Sequence, residues 1–154
     1  MKACVLKTPI GSLEITASEK GIVSIDLKKS PVMVGARCDV PLLLKKCCKQ
    51  LDEYFSGKRK TFDVPLDAKG TKFQKQVWRE LQKIPFGKTL SYGDIAKKIK
   101  NPKASRAVGG ANNKNPIAIV VPCHRVIGAN GKLVGYAGGL YRKAWLLRHE
   151  RRDR

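Results

Sequence analysis

Near the start of the chain the short apolar run Cys4-Val5-Leu6 precedes two stretches in which every second residue is apolar, first Leu13, Ile15 and Ala17, then Val23, Ile25 and Leu27. Alternation with period two buries one face of a strand and leaves the other to water. Pro9-Ile10-Gly11 and Glu19-Lys20-Gly21 supply the turns, so a three-strand meander is expected. Over residues 41–55 the spacing changes. Leu44, Cys47, Cys48, Leu51, Tyr54 and Phe55 recur three and four apart, which predicts a helix able to cover one face of that sheet.

The second half reads as a series of short helices. Thr71 and Gln74 fit a capping box ahead of Phe73, Val77, Leu81 and Ile84 at helical spacing, and Pro85-Phe86-Gly87 stops that helix. Ser91 and Asp94 fit the same cap before Ile95 and Ile99, in a helix ending near Lys100. Asn101-Pro102 suits an N-cap and a first helical position, predicting another helix over 101–111 and, with the one before it, a helix-turn-helix. Ala104, Ala107, Gly109, Gly110 and Ala111 leave this second helix nearly bare, although each glycine costs about 1 kcal/mol against alanine. Either the small residues serve helix packing, or they let the backbone approach a partner while Arg106 projects. The apolar run 117–121 predicts a buried strand that delivers Pro122-Cys123-His124-Arg125. Val126-Ile127, the turn 128–131 and Lys132-Leu133-Val134 suggest a hairpin, the wing of a winged helix. A last helix over 140–151 places Leu140, Ala144 and Leu147 on one side.

Composition narrows the function. A chain of 154 residues, 42% hydrophobic and 29% charged, folds as one domain or two small ones. The Gly-, Pro- and charge-rich segment 56–70 marks a boundary, giving an N-terminal α/β domain at 1–68 and a C-terminal domain at 69–154. The net charge of +20 makes a polyanion the default partner, nucleic acid or an anionic membrane surface. Residues 71–154 carry 19 basic and 4 acidic side chains against 13 and 8 in residues 1–70, so the polyanion belongs to the second half. No apolar run nears the roughly 20 residues that span a bilayer, and the N-terminus lacks a signal-peptide apolar region, so an intracellular, cytoplasmic protein is expected, nuclear in a eukaryote.

Five cysteines, an odd number, argue against a disulfide framework. With two histidines, His124 and His149, and no CxxC, no metal site is expected. Cys47 and Cys48 fit the apolar stripe of their helix, and Cys4 and Cys38 receive no role. Chemistry concentrates at Cys123, because a thiol becomes a useful nucleophile beside a base, cation or helix N-terminus, and His124 follows it directly. Adjacency alone is weak, since neighbouring side chains of a strand point to opposite faces.

The run Ile-Val-Val-Pro-Cys-His-Arg-Val-Ile at 119–127 resembles the active-site signature of the O6-alkylguanine-DNA alkyltransferases, the methylated-DNA protein-cysteine methyltransferases. The likeness continues through Gly70-Thr71, Phe73-Gln74, Val77-Trp78, residues 84–87, Ser91-Tyr92, residues 104–111, Asn115-Pro116, residues 136–139 and 145–150, about two thirds of the chain with looser matches near 51–57 and Pro65-Leu66. It implies an α+β protein: a small ribonuclease-H-like α/β domain followed by a winged helix-turn-helix domain that binds double-stranded DNA through the minor groove and flips the damaged base. The implied reaction moves the alkyl group of O6-alkylguanine, and of O4-alkylthymine, to Cys123 in a single turnover by a monomer without a cofactor. By the same resemblance His124, through a water and held by Glu150, is the base relay, and Tyr92 gives a proton to the leaving guanine. Val126, Tyr136, Ala137 and Gly138 join Tyr92 in the base pocket. Arg106 fills the gap left by the flipped base, Gln74, Gly93, Asn101 and Ala129 lie near the DNA backbone, and Asn115 is a structural hinge.

The chain carries alanine at 137 where several relatives have serine, which bears on the preference for bulky alkyl groups. The zinc ligands of some N-terminal domains have no counterpart, so no zinc is expected. The rival reading is a lesion-binding protein that flips the base without repairing it. Such alkyltransferase-like proteins replace the reactive cysteine, which is present here. A cysteine hydrolase would need an oxyanion hole, and a basic half-chain with a bare helix gives it no rationale.

Overall fold

The computed structural model describes residues 2–27, 41–136 and 138–152; Cys38 and Ala137 lie outside them. The chain forms two compact units, Met1–Lys69 and Gly70–Arg154.

In the first unit the alternating segments form β1 (Lys2–Thr8), β2 (Gly11–Ala17) and β3 (Ile22–Leu27), an antiparallel meander. Cys4 faces Ile15, Leu6 faces Leu13 and Ile15 faces Ile25, so apolar residues meet across the strands. Helix α1 (Leu42–Phe55) buries Leu44, Cys47, Leu51 and Tyr54, while Cys48 and Phe55 sit half-buried at its flank. The buried Gln50 was not foreseen; its amide donates to the Asp63 carboxylate and accepts the Asp63 backbone N–H at 3.2 Å.

The segment expected to act only as a boundary is partly core. Ile22 donates to Pro65 O at 2.8 Å, Asp67 donates back to Ile22 O at 2.7 Å, and Val64 is buried, so this stretch runs along the free edge of β3. The approach needs Gly21, where a Cβ would stand 2.7 Å from Pro65 O.

The second unit begins with α2 (Lys72–Leu81), opened by the expected Thr71–Gln74 capping box. Helix α3 (Tyr92–Lys98) opens with the Ser91–Asp94 box. Trp78 is buried on α2, and its indole N–H donates to Ala111 O at 2.8 Å, tying α2 to α4 (Ser105–Asn113). Helix α4 starts later than the Asn101-Pro102 signal predicts. Lys100 adopts a left-handed φ of 61°, and Ala104 N–H closes a turn onto Asn101 O at 2.9 Å before the helix begins. Proline suits the second position of such a turn as well as the first of a helix, which is why the signal misled.

Residues 117–121 are mostly buried as expected, yet they form no strand. Ile119 takes a left-handed φ of 73°, and Val121 N–H folds back to Ile117 O at 3.0 Å. An apolar run reports burial, and periodicity cannot distinguish a buried strand from a buried irregular turn. The wing hairpin is also absent as a strand pair. The turn exists, with Gly128 N–H on Lys132 O at 2.9 Å, but Val126-Ile127 (β5) pairs in parallel with Leu90-Ser91 (β4), and 132–136 is irregular. On the last helix, α5 (Leu140–Arg152), Leu140 is exposed, and the face turned inward carries Lys143, Leu146, Leu147 and Glu150. Among the described residues, no helix is long and apolar enough to cross a membrane.

Candidate active site

Cys123 begins a single 3-10 turn, Cys123–Arg125, that follows the folded-back apolar segment and leads into β5. Asn115 holds that segment in shape: its amide donates to Val121 O at 2.8 Å, and its carbonyl accepts Ile117 N–H at 3.0 Å. From α4, Asn112 donates to Cys123 O at 3.3 Å. Asn112 thus holds Cys123 at its own carbonyl, and Asn115 holds the segment that leads to it.

The turn resolves the difficulty of Cys-His adjacency, because in it neither side chain points to solvent: Cys123 and His124 are both buried. His124 Nε2 lies 2.6 Å from Glu150 Oε2, and His124 Nδ1 is buried with no protein partner. Glu150, on α5, also receives Arg125 through Nε at 2.9 Å and Nη2 at 3.1 Å, together with the Gly87 N–H at 3.2 Å. Arg125 Nη1 donates to Ile84 O at 2.7 Å, completing a buried network of imidazole, carboxylate and guanidinium.

The network dictates protonation. Burial alone would raise the Glu150 carboxyl, but the hydrogen bonds and charges of His124 and Arg125 outweigh it and hold the group well below the usual carboxylate range. Burial pushes His124 below its ordinary value against the pull of Glu150, so at neutral pH the imidazole is neutral. A neutral ring beside an ionised carboxylate donates from Nε2, which leaves Nδ1 as a bare acceptor.

Burial likewise pushes the Cys123 thiol up, while the Asn115 hydrogen bond, the Lys143 charge and the backbone N–H groups of Cys123 and His124 pull it down. Lys143 is fully buried; its ammonium donates to Val134 O at 2.9 Å and stands 6.0 Å from the centre of the Tyr92 ring. Burial lowers Lys143 and the nearby Cys123 opposes that shift. Tyr92 donates to the same Val134 O at 2.9 Å, and both Tyr92 and Tyr136 are kept protonated by burial and by Cys123.

Cys123, His124, Glu150, Tyr92, Tyr136 and Asn115 therefore converge on one place, with Val126 buried in β5 beside it. Gly138 lies in the turn two residues before α5, its carbonyl accepting from Arg142 at 2.7 Å. The residues assigned to a polyanion lie elsewhere. Arg106 is exposed on α4, Asn101 in the turn before it and Ala129 at the tip of 128–131, whereas Gly93 is half-buried in α3 and Gln74 is engaged in its capping box. Lys143, Arg125 and Asn112 were missed. Lys143 had a legible signal, since it precedes Leu146, Leu147 and Glu150 by three, four and seven positions on one helical face.

Comparison with known proteins places the whole chain among relatives of one family. The family model described as 6-O-methylguanine DNA methyltransferase, DNA binding domain, matches residues 72–152, and that of the ribonuclease-like domain matches residues 1–68. A methylated-DNA–protein-cysteine methyltransferase of Methanosarcina acetivorans is 49% identical over 153 residues, covering 97% of this chain and 98% of its own. The crystal structure of the Mycobacterium tuberculosis O6-methylguanine methyltransferase aligns with a TM-score of 0.87 at 42% identity, covering 99% of this chain and 93% of that one. A structure of the protein from the same organism in complex with DNA aligns with a TM-score of 0.88 at 44% identity, covering 98% and 93%.

Glu150→Gln leaves Arg125 buried without its counter-charge and should lower the unfolding free energy by about 3 kcal/mol at neutral pH. Because the folded-state carboxyl is depressed, its contribution is present above the unfolded carboxylate pKa and fades as pH falls toward the folded one. Urea unfolding of both proteins should therefore show a gap that narrows below about pH 4.

The matched models cover both units, and the relatives match across nearly the whole chain, so this protein belongs to the 6-O-methylguanine DNA methyltransferase family.

Proposed function

We propose that this protein repairs O6-alkylguanine in double-stranded DNA by direct reversal, taking the alkyl group onto Cys123. The single observation that carries the reading is a buried cysteine next in sequence to a buried histidine whose Nε2 is held by Glu150 and whose Nδ1 has no protein partner. In the step, the thiol proton passes through a water to His124 Nδ1, and Glu150 stabilises the imidazolium that forms. The Cys123 sulfur attacks the alkyl carbon, the bond from that carbon to O6 breaks, and its electron pair stays on guanine. Tyr92 exchanges its bond to Val134 O for one to the departing base and neutralises the developing charge. Lys143 favours the thiolate that burial otherwise disfavours. The product thioether has no easy leaving path, so one monomer serves one lesion.

Burial requires the base to come to the sulfur, which implies flipping it from the stack. The surface of α4 suits that approach. A Cβ at Gly110 would meet nothing within 4 Å, and one at Gly109 would make only ordinary contact with Tyr92 at 3.8 Å, so packing within this unit requires neither glycine. Arg106, Ala107 and Gly110 are exposed together, a nearly bare face with one long cation. Such a face lets a helix backbone settle into a minor groove while Arg106 takes the space of the extruded base. Asn101, Gly93, Gln74 and Ala129 then lie within reach of the phosphates, and Val126, Tyr136 and Gly138 line the pocket.

After incubation with a duplex containing O6-methylguanine, intact-protein mass spectrometry should show one added methyl group, mapped to Cys123 and absent from Cys123→Ala. Lesion binding without a mass change would reduce the protein to a sensor. Lys143→Met removes a cation that pulls the thiol toward thiolate and should slow single-turnover transfer about tenfold or more at neutral pH, with the loss partly recovered as pH rises toward 9. An unchanged rate would remove Lys143 from the account.

A further inference from the structure

Away from the alkyl-acceptor site, the first unit gathers three thiols where strand meets helix. Cys4 on β1 and Cys48 on α1 are 44 positions apart in sequence, and their sulfurs stand 3.0 Å apart. No disulfide joins them, and bonding requires the sulfurs to close by only about 1 Å. Cys4 is buried and Cys48 half-buried, so a reagent from solvent meets Cys48 first. Cys47 is fully buried, and burial together with the neighbouring Cys4 pushes its thiol up to about 12, which keeps it protonated and inert at neutral pH. The exposed Lys45 and Lys49 flank Cys48 on the helix and favour an anionic reagent. A metal is the weaker occupant, because no group of three or more His, Cys, Asp or Glu among the described residues is placed to hold one.

We propose that Cys4 and Cys48 are a site of reversible disulfide formation, closed by a small anionic disulfide such as oxidised glutathione and tying β1 to α1. Cys48, as thiolate, attacks one sulfur of the reagent, forming a mixed disulfide and releasing one thiol. Cys4 gives its proton to solvent and displaces the second thiol, closing the bond between the two protein sulfurs. Two electrons leave the protein thiols and reduce one disulfide reagent to two thiols, so the exchange balances without another oxidant. The odd number of cysteines argued against a disulfide framework, but one pair selected by proximity does not depend on parity.

The test uses the full reduced chain, freed of reductant and incubated without oxygen with oxidised glutathione, then read by intact mass and a non-reducing tryptic map. The expected result is a mass lower by about 2 Da and the loss of two of the five alkylatable thiols. Peptide 3–7 should be linked to peptide 47–49, the link persisting in Cys47→Ser, absent from Cys48→Ser and reversed by dithiothreitol. A stable glutathione adduct on Cys48 with Cys4 still open to alkylation would overturn the proposal, as would a link that survives Cys48→Ser. The mass loss and the link between the two peptides are read in the unmutated chain, and fragmentation of the linked peptide there assigns the bond to Cys48 or Cys47, so a variant that fails to fold leaves the assignment standing.

Discussion

A carboxylate taken out of water must be met by positive charge or by hydrogen-bond donors, and Glu150 is met by both. Arg125 and the Gly87 N–H approach one of its oxygens, and Arg125 and His124 the other, so segments far apart in sequence are pinned to one buried charge. Arg125 and His124 belong to the same short turn as Cys123. The group that sets the protonation of the imidazole is therefore also the group that anchors the turn carrying Cys123. Stability and chemistry share this ion, and a change at Glu150 cannot touch one without the other.

Burial works against the thiol and for the imidazole at once. It raises Cys123, which makes the sulfur a poorer nucleophile at rest, and it lowers His124, which keeps the ring unprotonated and able to take a proton. Lys143 and Asn115 partly offset the cost on sulfur. The result suits a protein that should meet its substrate before its nucleophile is exposed to other electrophiles, since a buried neutral thiol is inert.

Regular elements were legible in the sequence because their signals are local. Strand alternation placed the meander, and the Thr71–Gln74 and Ser91–Asp94 boxes fixed two helix starts to the residue. The misreadings arose where a local signal has two outcomes. Asn101-Pro102 opens a turn as readily as a helix, and the apolar run 117–121 is buried without being a strand because Asn115 supplies the hydrogen bonds a sheet would have given. Of the residues named by resemblance, His124, Glu150, Tyr92, Tyr136 and Asn115 gather around Cys123, yet resemblance did not reveal why. Arg125 emerged only when burial was known, whereas Lys143 could have been read from its place on the inward stripe of α5. The charged positions of α5 that face inward broke the apolar stripe, and such a break is the clue a sequence can offer.

Glu150 fixes His124 as a neutral ring protonated at Nε2 with a bare Nδ1. Nitrogen-15 NMR of the imidazole, followed from pH 6 upward in protein labelled at histidine, reads this directly. His124 should show a pyrrole-type Nε2 and an unprotonated Nδ1 throughout, with no titration near the ordinary histidine range of about 6.5. A proton on Nδ1, or an imidazolium at neutral pH, would contradict it, because the ring would then have no lone pair to accept the thiol proton.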